Sequence, residues 1–133
     1  MGFTYDRTIH FSETDAAGVV YFANVLTLCH EAYEASLAAS GISVRSFFSG
    51  QNIAVPIVHA EVDFFSPMFC GDLITIELTP HLLKPSEFEI RYQLMQDSKS
   101  VGKALTRHVC IATKTRTRIE LSEQLQCWVD RFR

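Results

Sequence analysis

The residues best suited to chemistry lie in one segment, which starts at Phe11 and reads FSETDAAGVVYFANVLTLCHE. Asp15 places a carboxylate just before an apolar run with helical character. Backbone N–H groups in the first turn of a helix lack partners within the helix and attract negative charge. The combination is suited to carbonyl chemistry: the carboxylate attacks or activates a water, and the N–H groups stabilise the oxyanion that develops.

A structural interpretation of the same residues stands beside this one. Aspartate is among the preferred residues at the N-cap of a helix, so Asp15 can serve only to start the helix. Gly18 can serve only the turn. Local sequence leaves both interpretations of the segment open.

A strand and a helix are predicted to hold this segment. Residues 3–11 alternate, with Phe3, Tyr5, Ile9 and Phe11 on one face, which is typical of a half-buried strand. The helix is predicted from about Val20 to Ser40, where Gly41 ends it. It is apolar around most of its circumference, so other structure must surround it.

The second half of the chain reads as strands followed by one short helix. Strands are predicted over residues 57–64, 74–79, 87–94 and 101–115, with Pro80 ending the second of them. A final helix is predicted from Glu123 to Arg131, capped by Ser122. The sequence therefore predicts one α+β domain, residues 1–133, with an antiparallel sheet of about five strands wrapped around the long helix. A cystatin-like fold is the structural alternative.

Composition excludes several classes of function. The net charge of −3 and the pI near 5.9 provide no basic surface for nucleic acid. The first residues lack the features of a secretory signal, no apolar run is long enough for a membrane span, and the four cysteines show no paired motif. We therefore expect a cytoplasmic location. The five histidines show no metal-ligand spacing, so we predict no metal and no cofactor.

The pattern Asp15-x-x-Gly18-Val19-Val20-Tyr21-Phe22-x-Asn24 resembles the 4-hydroxybenzoyl-CoA thioesterase family of hotdog-fold proteins. The resemblance implies a hotdog fold that hydrolyses an acyl-CoA, with Asp15 as the catalytic residue and the Phe22 N–H on the thioester carbonyl. The substrate-binding residues it implies are Gly18, Tyr21, Val55, His59 and Ser66. Many relatives carry an aromatic residue where Val25 stands, which implies a different acyl pocket.

A narrower resemblance rests on the segment that starts at Phe11 and on the segment PIVHAEVDFFSPMFCGD. Both are most similar to the 1,4-dihydroxy-2-naphthoyl-CoA thioesterases of phylloquinone and menaquinone synthesis. The alternatives are a hotdog thioesterase for other acyl-CoA or acyl-carrier-protein substrates, a hotdog hydratase, and a non-catalytic acyl-binding module. Glu31 is the rival carboxylate, because other hotdog thioesterases place a catalytic Glu on this helix.

The strand at residues 57–65 also predicts association between copies of the chain. It follows an apolar stretch, residues 53–58, and would form an exposed sheet edge. Pairing with its own copy about a two-fold axis would cover that edge. The resemblance implies a dimer or a dimer of dimers. In that assembly, the Asp15 turn of one chain faces residues 55–59 and the Ser66-Pro67 connection of the other.

Overall fold

A five-stranded antiparallel sheet and one long helix form the core of the computed structural model, which describes residues 2–133. The elements in chain order are β1 (Phe3–Thr8), α1 (Asn24–Ala39), α2 (Val44–Phe47), β2 (Ile53–Ala54), β3 (Ile57–Phe64), β4 (Leu73–Lys84), β5 (Glu87–Gln96), β6 (Lys99–Val109), β7 (Ile111–Ala112) and α3 (Glu123–Phe132). The main sheet has the order β1-β4-β5-β6-β3, and β2 pairs with β7. The predicted α+β arrangement, with its short C-terminal helix, is confirmed.

The core forms between one face of the sheet and the buried face of α1. Alternate residues of the central strands are fully buried, among them Ile74, Ile76, Leu78, Phe88, Ile90, Tyr92 and Leu94. On α1 the buried side chains are Val25, Leu28, Cys29, Ala32, Tyr33, Ser36 and Leu37. Each large apolar side chain contributes about 1.5–3 kcal/mol of transfer free energy when buried. This packing fixes the position of α1 against the sheet.

Helix α3 closes the core beside α1. The side chain of Ser122 caps it by accepting a hydrogen bond from the Leu125 N–H at 3.2 Å, as predicted. The indole N–H of Trp128 donates to the Ser36 hydroxyl at 2.9 Å. A buried indole thus has the partner it needs, and α3 is tied to α1.

Four predicted boundaries are wrong. The strand predicted over residues 101–115 is β6, which ends at Val109, followed by the separate short strand β7. Helix α1 begins at Asn24 and not at Val20, because the residues before it form turns and short bridges to other segments. Strand β1 ends at Thr8, and Phe11 is 82% exposed instead of sharing the buried face. Strand β4 continues through Pro80 to Lys84.

Strand β3 lies at the edge of the sheet and pairs with β6 alone. Val62 is its one partly buried residue in the chain as described. The alternation of this strand predicts that Val58, Ala60, Val62 and Phe64 face the core, but Val58 and Phe64 are each 53% exposed, so this prediction is wrong for the single chain. The predicted exposed edge is present.

Candidate active site

Asp15 lies in a tight turn and not at the start of α1. Its Oδ1 accepts a hydrogen bond from the Ala17 N–H at 2.8 Å, and its carbonyl accepts one from the Gly18 N–H at 3.0 Å. Its own N–H donates to the Val19 carbonyl at 2.9 Å. Gly18 has φ of +82°, a conformation that favours glycine. The backbone therefore holds the Asp15 carboxylate in place while leaving it exposed to solvent.

The N-cap interpretation of Asp15 is wrong. Helix α1 begins nine residues further along, and its N-cap is Ala23, which provides no side-chain hydrogen bond. The helix-capping role is therefore excluded.

A cleft of about 430 Å³ opens beside Asp15. Its walls are Asp15, Val19, Val20, Tyr21, Phe22, Phe64, Phe65, Ser66, Pro67 and Met68. The rings of Tyr21 and Phe22 pack with centroids 4.8 Å apart. Four predicted site residues, Asp15, Tyr21, Phe22 and Ser66, thus meet in one cleft. Gly18 shapes the turn beside it.

Two main-chain bonds fix the segment that carries Tyr21 and Phe22. The Val20 N–H donates to the Met68 carbonyl and the Tyr21 N–H donates to the Glu13 carbonyl, both at 2.9 Å. The N–H of Phe22, by contrast, has no hydrogen-bond acceptor anywhere in residues 2–133. Phe22 lines the cleft that holds the Asp15 carboxylate, and an unpaired main-chain N–H is the kind of donor that stabilises an oxyanion.

An ion-pair network behind the turn was not predicted from the sequence. Arg7 donates to both carboxylate oxygens of Glu13 and to both of Glu31. The Arg7 side chain is only 13% exposed. Its hydrogen bonds to Glu13 and then Glu31 raise the pKa of Arg7, and the hydrogen bond from Arg7 lowers the pKa of Glu13. The one sign of this network in the sequence is Arg7, a charged residue at a position where the alternation of the first strand predicts an apolar one.

Glu31, the alternative catalytic carboxylate, is hydrogen-bonded within this network. Its Oε1 accepts from the Arg7 Nε at 2.9 Å and from the Tyr5 hydroxyl at 3.1 Å. Its Oε2 accepts from the Arg7 Nη2 at 2.9 Å. Glu31 does not line the Asp15 cleft. A carboxylate held in this way is poorly placed to attack a substrate, so the geometry favours Asp15.

Val55 and His59 lie away from the Asp15 cleft in this chain. Val55 lines a different cavity near Tyr33, and the His59 Nε2 lies 2.9 Å from the Glu61 Oε1 on the exposed edge strand. Ser66 and Pro67 line the cleft of their own chain. Whether they also face the Asp15 turn of a partner chain stays a prediction. A role for residues 55–59 in a partner's site stays a prediction.

Among residues 2–133, no group of three or more His, Cys, Asp or Glu is placed to hold a metal ion. Within the same residues, no helix is both long and apolar enough to cross a membrane.

Comparisons with known proteins show the family to which the chain is similar. A family model described as the thioesterase-like superfamily matches residues 9–129. The chain is 54% identical to the 1,4-dihydroxy-2-naphthoyl-CoA hydrolase of Crocosphaera subtropica over 129 residues, covering 95% of this chain and 94% of that protein. It is 55% identical to the protein of the same name from Trichodesmium erythraeum over 137 residues, covering 99% and 98% of the two chains.

A solved structure shows the same fold. The crystal structure of a 1,4-dihydroxy-2-naphthoyl-CoA thioesterase from Synechocystis superposes with a TM-score of 0.93 at 37% identity, covering 98% of this chain and 96% of that one. The predicted hotdog fold is confirmed.

Proposed function

This chain belongs to the thioesterase-like superfamily and hydrolyses a thioester, and we propose that its substrate is 1,4-dihydroxy-2-naphthoyl-CoA. The products would be CoA and 1,4-dihydroxy-2-naphthoate, a precursor for phylloquinone or menaquinone synthesis. The observation that carries the proposal is the exposed Asp15 carboxylate at an aromatic cleft, in a chain more than half identical to relatives of that name.

Asp15 supplies the group that starts the reaction. In one route its carboxylate attacks the thioester carbonyl, the CoA thiolate leaves, and water then hydrolyses the acyl-aspartyl anhydride. In the other route Asp15 takes a proton from a water that attacks the carbonyl, and the thiolate leaves as the tetrahedral intermediate collapses. In both, the free N–H of Phe22 donates to the carbonyl oxygen as it becomes negative.

The aromatic walls of the cleft suit a flat acyl group. Tyr21, Phe22, Phe64 and Phe65 are between 45% and 62% exposed, so their rings remain available to a ligand. Aromatic rings pack well against one another in offset or edge-to-face geometry. Gly18, beside Asp15 in the turn, and Ser66, on the opposite wall, complete the proposed substrate contacts.

Hydrolysis of a matched set of thioesters tests the substrate. We expect 1,4-dihydroxy-2-naphthoyl-CoA to give a higher kcat/KM than benzoyl-CoA, acetyl-CoA, palmitoyl-CoA or the same acyl group on acyl carrier protein. A better aliphatic substrate would refute the naphthoyl assignment and leave thioester hydrolysis standing. Binding without turnover of any thioester would instead identify an acyl-binding module.

A single turnover in ¹⁸O-labelled water tests direct attack by Asp15. Label in the Asp15 carboxylate after one turnover requires direct attack, with water opening the anhydride at the aspartyl carbonyl so that the product takes its oxygen from the side chain. Label in the naphthoate product is expected when Asp15 activates a water, and also when water opens the anhydride at the naphthoyl carbonyl. Mass spectrometry of the peptide containing Asp15 and of the product reads both outcomes.

The active unit that we propose is a dimer formed through β3, alone or in a dimer of dimers. The free edge of that strand is the support: its main-chain groups face solvent beside Ile57, Val58 and Phe64, all more than 40% exposed. Antiparallel pairing about a two-fold axis places the start of one β3 beside the end of the other. Residues 55–59 of one chain would then approach the cleft of the partner.

Mixing two inactive chains tests the shared site. One chain carries Asp15→Asn and the other carries His59→Trp, which blocks the proposed contact by size. If the site is shared, exchange of subunits restores one working site in each mixed dimer. No recovery after exchange verified by mass spectrometry would show that each chain holds a complete site.

A further inference from the structure

Asn24 belongs to the motif that carries the family resemblance, yet its side chain has no role in the two routes of hydrolysis. It is the first residue of α1 and is partly buried. Its Nδ2 donates a hydrogen bond to the Glu13 carbonyl at 2.9 Å, across eleven residues of chain. Asn24 does not line the cleft that holds Asp15. Any effect of this side chain on the reaction must therefore pass through the residues that it holds.

The main chain of Asn24 fixes the peptide group between Tyr21 and Phe22. The N–H of Asn24 donates to the Tyr21 carbonyl at 2.9 Å. A trans peptide group is planar, so its carbonyl and its N–H point in opposite directions. Because the Tyr21 carbonyl points toward the start of α1, the N–H of Phe22 in the same peptide group points away from the helix. The hydrogen bond that fixes the carbonyl therefore also fixes the direction of the unpaired Phe22 N–H.

The side chain of Asn24 holds the same segment at a second point. The Glu13 carbonyl that accepts from the Asn24 Nδ2 also accepts from the Tyr21 N–H at 2.9 Å. One oxygen, with its two lone pairs, thus binds the residue before the peptide group and the residue after it. Glu13 is itself held in place, because Arg7 donates to both of its carboxylate oxygens. Rotation of the Tyr21–Phe22 peptide is opposed as long as both bonds to this carbonyl are present.

The requirements of the helix do not explain an asparagine at this position. Asparagine is a weaker helix former than alanine, glutamate or glutamine. The N-cap of α1 is Ala23, and the Asn24 side chain bonds outside the helix, to Glu13. A carboxylate of the same size has no N–H to donate, and an aliphatic side chain has no donor at all. The contact with the Glu13 carbonyl is thus the feature that requires an amide.

We propose that Asn24 is a positioning residue for thioester hydrolysis. Its side-chain amide keeps the Tyr21–Phe22 peptide in the orientation in which the Phe22 N–H donates to the oxygen of the thioester carbonyl. The inference rests on the proposed role of that N–H. Asn24 acts through the peptide group and makes no contact with the substrate.

The kinetics of Asn24→Ala test this role. Loss of one oxyanion donor costs about 10²–10³-fold in kcat. Here the N–H is displaced and not removed, so we expect kcat to fall about 10–100-fold. KM should change little, because the aromatic walls that bind the acyl group are retained. Thr27→Ala, an exposed polar residue one turn further along α1, is the matched control and should keep the wild-type kcat.

A second measurement reports the hydrogen bond itself and needs no turnover. It uses a ketone analogue in which CH₂ replaces the thioester sulfur and the carbonyl carbon is ¹³C, built on the acyl group that gives the highest kcat/KM. A hydrogen bond to a carbonyl oxygen moves the ¹³C signal downfield. We expect a downfield shift when the analogue binds the wild type and Thr27→Ala, and loss of the greater part of that shift in Asn24→Ala. A purely structural role would lower the melting temperature and leave the shift intact.

Asn24→Asp keeps the size of the side chain and replaces the donor by a carboxylate oxygen. It should lose the shift as Asn24→Ala does, and it serves in place of that variant should the alanine protein fail to fold. A wild-type shift that persists in the Asn24 variants, or an unchanged kcat in them, would overturn the inference and leave the role of the Phe22 N–H standing. A wild type that gives no downfield shift with bound analogue would overturn both. The choice of analogue makes the outcome independent of the naphthoyl assignment.

Discussion

Arg7 donates hydrogen bonds from both of its Nη atoms to the carboxylate of Glu13, two residues before Asp15. The main-chain carbonyl of the same Glu13 accepts from the Tyr21 N–H and from the Asn24 side chain, each at 2.9 Å. One glutamate therefore ties the strand before the turn to the segment after it. The Asp15 turn is held at both ends by this connection.

The variant Asp15→Asn tests the chemical role of the Asp15 carboxylate while keeping its hydrogen bond within the turn. Asparagine can keep the hydrogen bond from the Ala17 N–H but cannot act as nucleophile or base. We expect kcat to fall about 10²–10⁴-fold, the range for loss of general-base catalysis, with little change in melting temperature. Steady-state kinetics and calorimetry measure both. Wild-type turnover in this variant, together with an inactive Glu31→Gln, would move the reaction to α1.

Arg7→Gln is expected to loosen the turn. The change leaves the carboxylates of Glu13 and Glu31 without their shared cation, and a hydrogen bond to a charged group contributes about 1.5–3 kcal/mol. Because small displacements of a catalytic group are costly, we expect kcat to fall about 10–100-fold with KM little changed. Lys103→Gln, which removes an exposed ion pair, is the control. A destabilised protein with normal kcat would limit Arg7 to a structural role.

Glu13 makes stability depend on pH in the acid range. Its pKa is lowered in the folded protein, chiefly by the hydrogen bond from Arg7, so the folded state binds that proton less readily than the unfolded state. The stabilisation is present above the ordinary glutamate pKa of about 4.3 and is lost as pH falls through the lower folded value. Denaturant unfolding at pH 3 to 7 should show a flatter acid limb in Glu13→Gln. The exposed Glu77→Gln serves as control, and equal slopes in the two variants would contradict this assignment.

Ser36→Ala tests the link between α1 and α3. It leaves the buried Trp128 N–H without its 2.9 Å acceptor, at a cost of about 1–3 kcal/mol. Urea unfolding followed by tryptophan fluorescence measures the loss directly, and activity should persist because the site is distant. Ser49→Ala removes an exposed hydroxyl and should change stability by less than about 0.5 kcal/mol. Equal stability of both variants would show that the Trp128 bond contributes nothing.

Lysines on the free edge of β3 test the proposed dimer. In Val58→Lys with Ala60→Lys, like charges would oppose pairing of two copies, and we expect a shift to monomer in sedimentation velocity. Thr4→Lys places a charge on β1, the opposite edge of the sheet, and should leave association unchanged. A wild type that sediments as a monomer, or a double variant that still associates, would refute pairing through β3.

The alternation of β4 and β5 was readable from sequence because burial there follows side-chain type: Ile74, Ile76 and Leu78 are all fully buried. The start of α1 could not be predicted from the sequence. Val20 has a helical apolar pattern around it, yet its N–H pairs with Met68, and only the tertiary structure provides that partner. Pro80 was predicted to end the strand because proline has no N–H to donate to the hydrogen-bond ladder of a sheet. Among residues 2–133, β1 pairs with β4 only as far as Leu78, so β5 is the one neighbour that the structure describes for β4 at Pro80.

For the candidate site, too, some residues could be predicted from sequence and others could not. Asp15, Tyr21 and Phe22 are close in sequence, so a local pattern found them. The separate cavity near Tyr33, which Val55 lines, joins His30 and Tyr33 on α1 with His108 on β6, and no spacing along the chain brings these residues together. His108 is also a polar residue at a fully buried position, which reasoning from hydrophobic alternation cannot assign.

The two walls of the Asp15 cleft are fastened to different parts of the fold. The turn is held by Arg7 and Glu13, whereas the aromatic wall formed by Phe64 and Phe65 is held to β6, through the N–H groups of Phe65 and Ser66, which donate to the Val101 carbonyl. Substitutions in the aromatic wall can therefore alter which acyl groups fit without loosening the carboxylate. The part of the cleft that selects the acyl group and the part that holds the carboxylate can thus change independently in evolution.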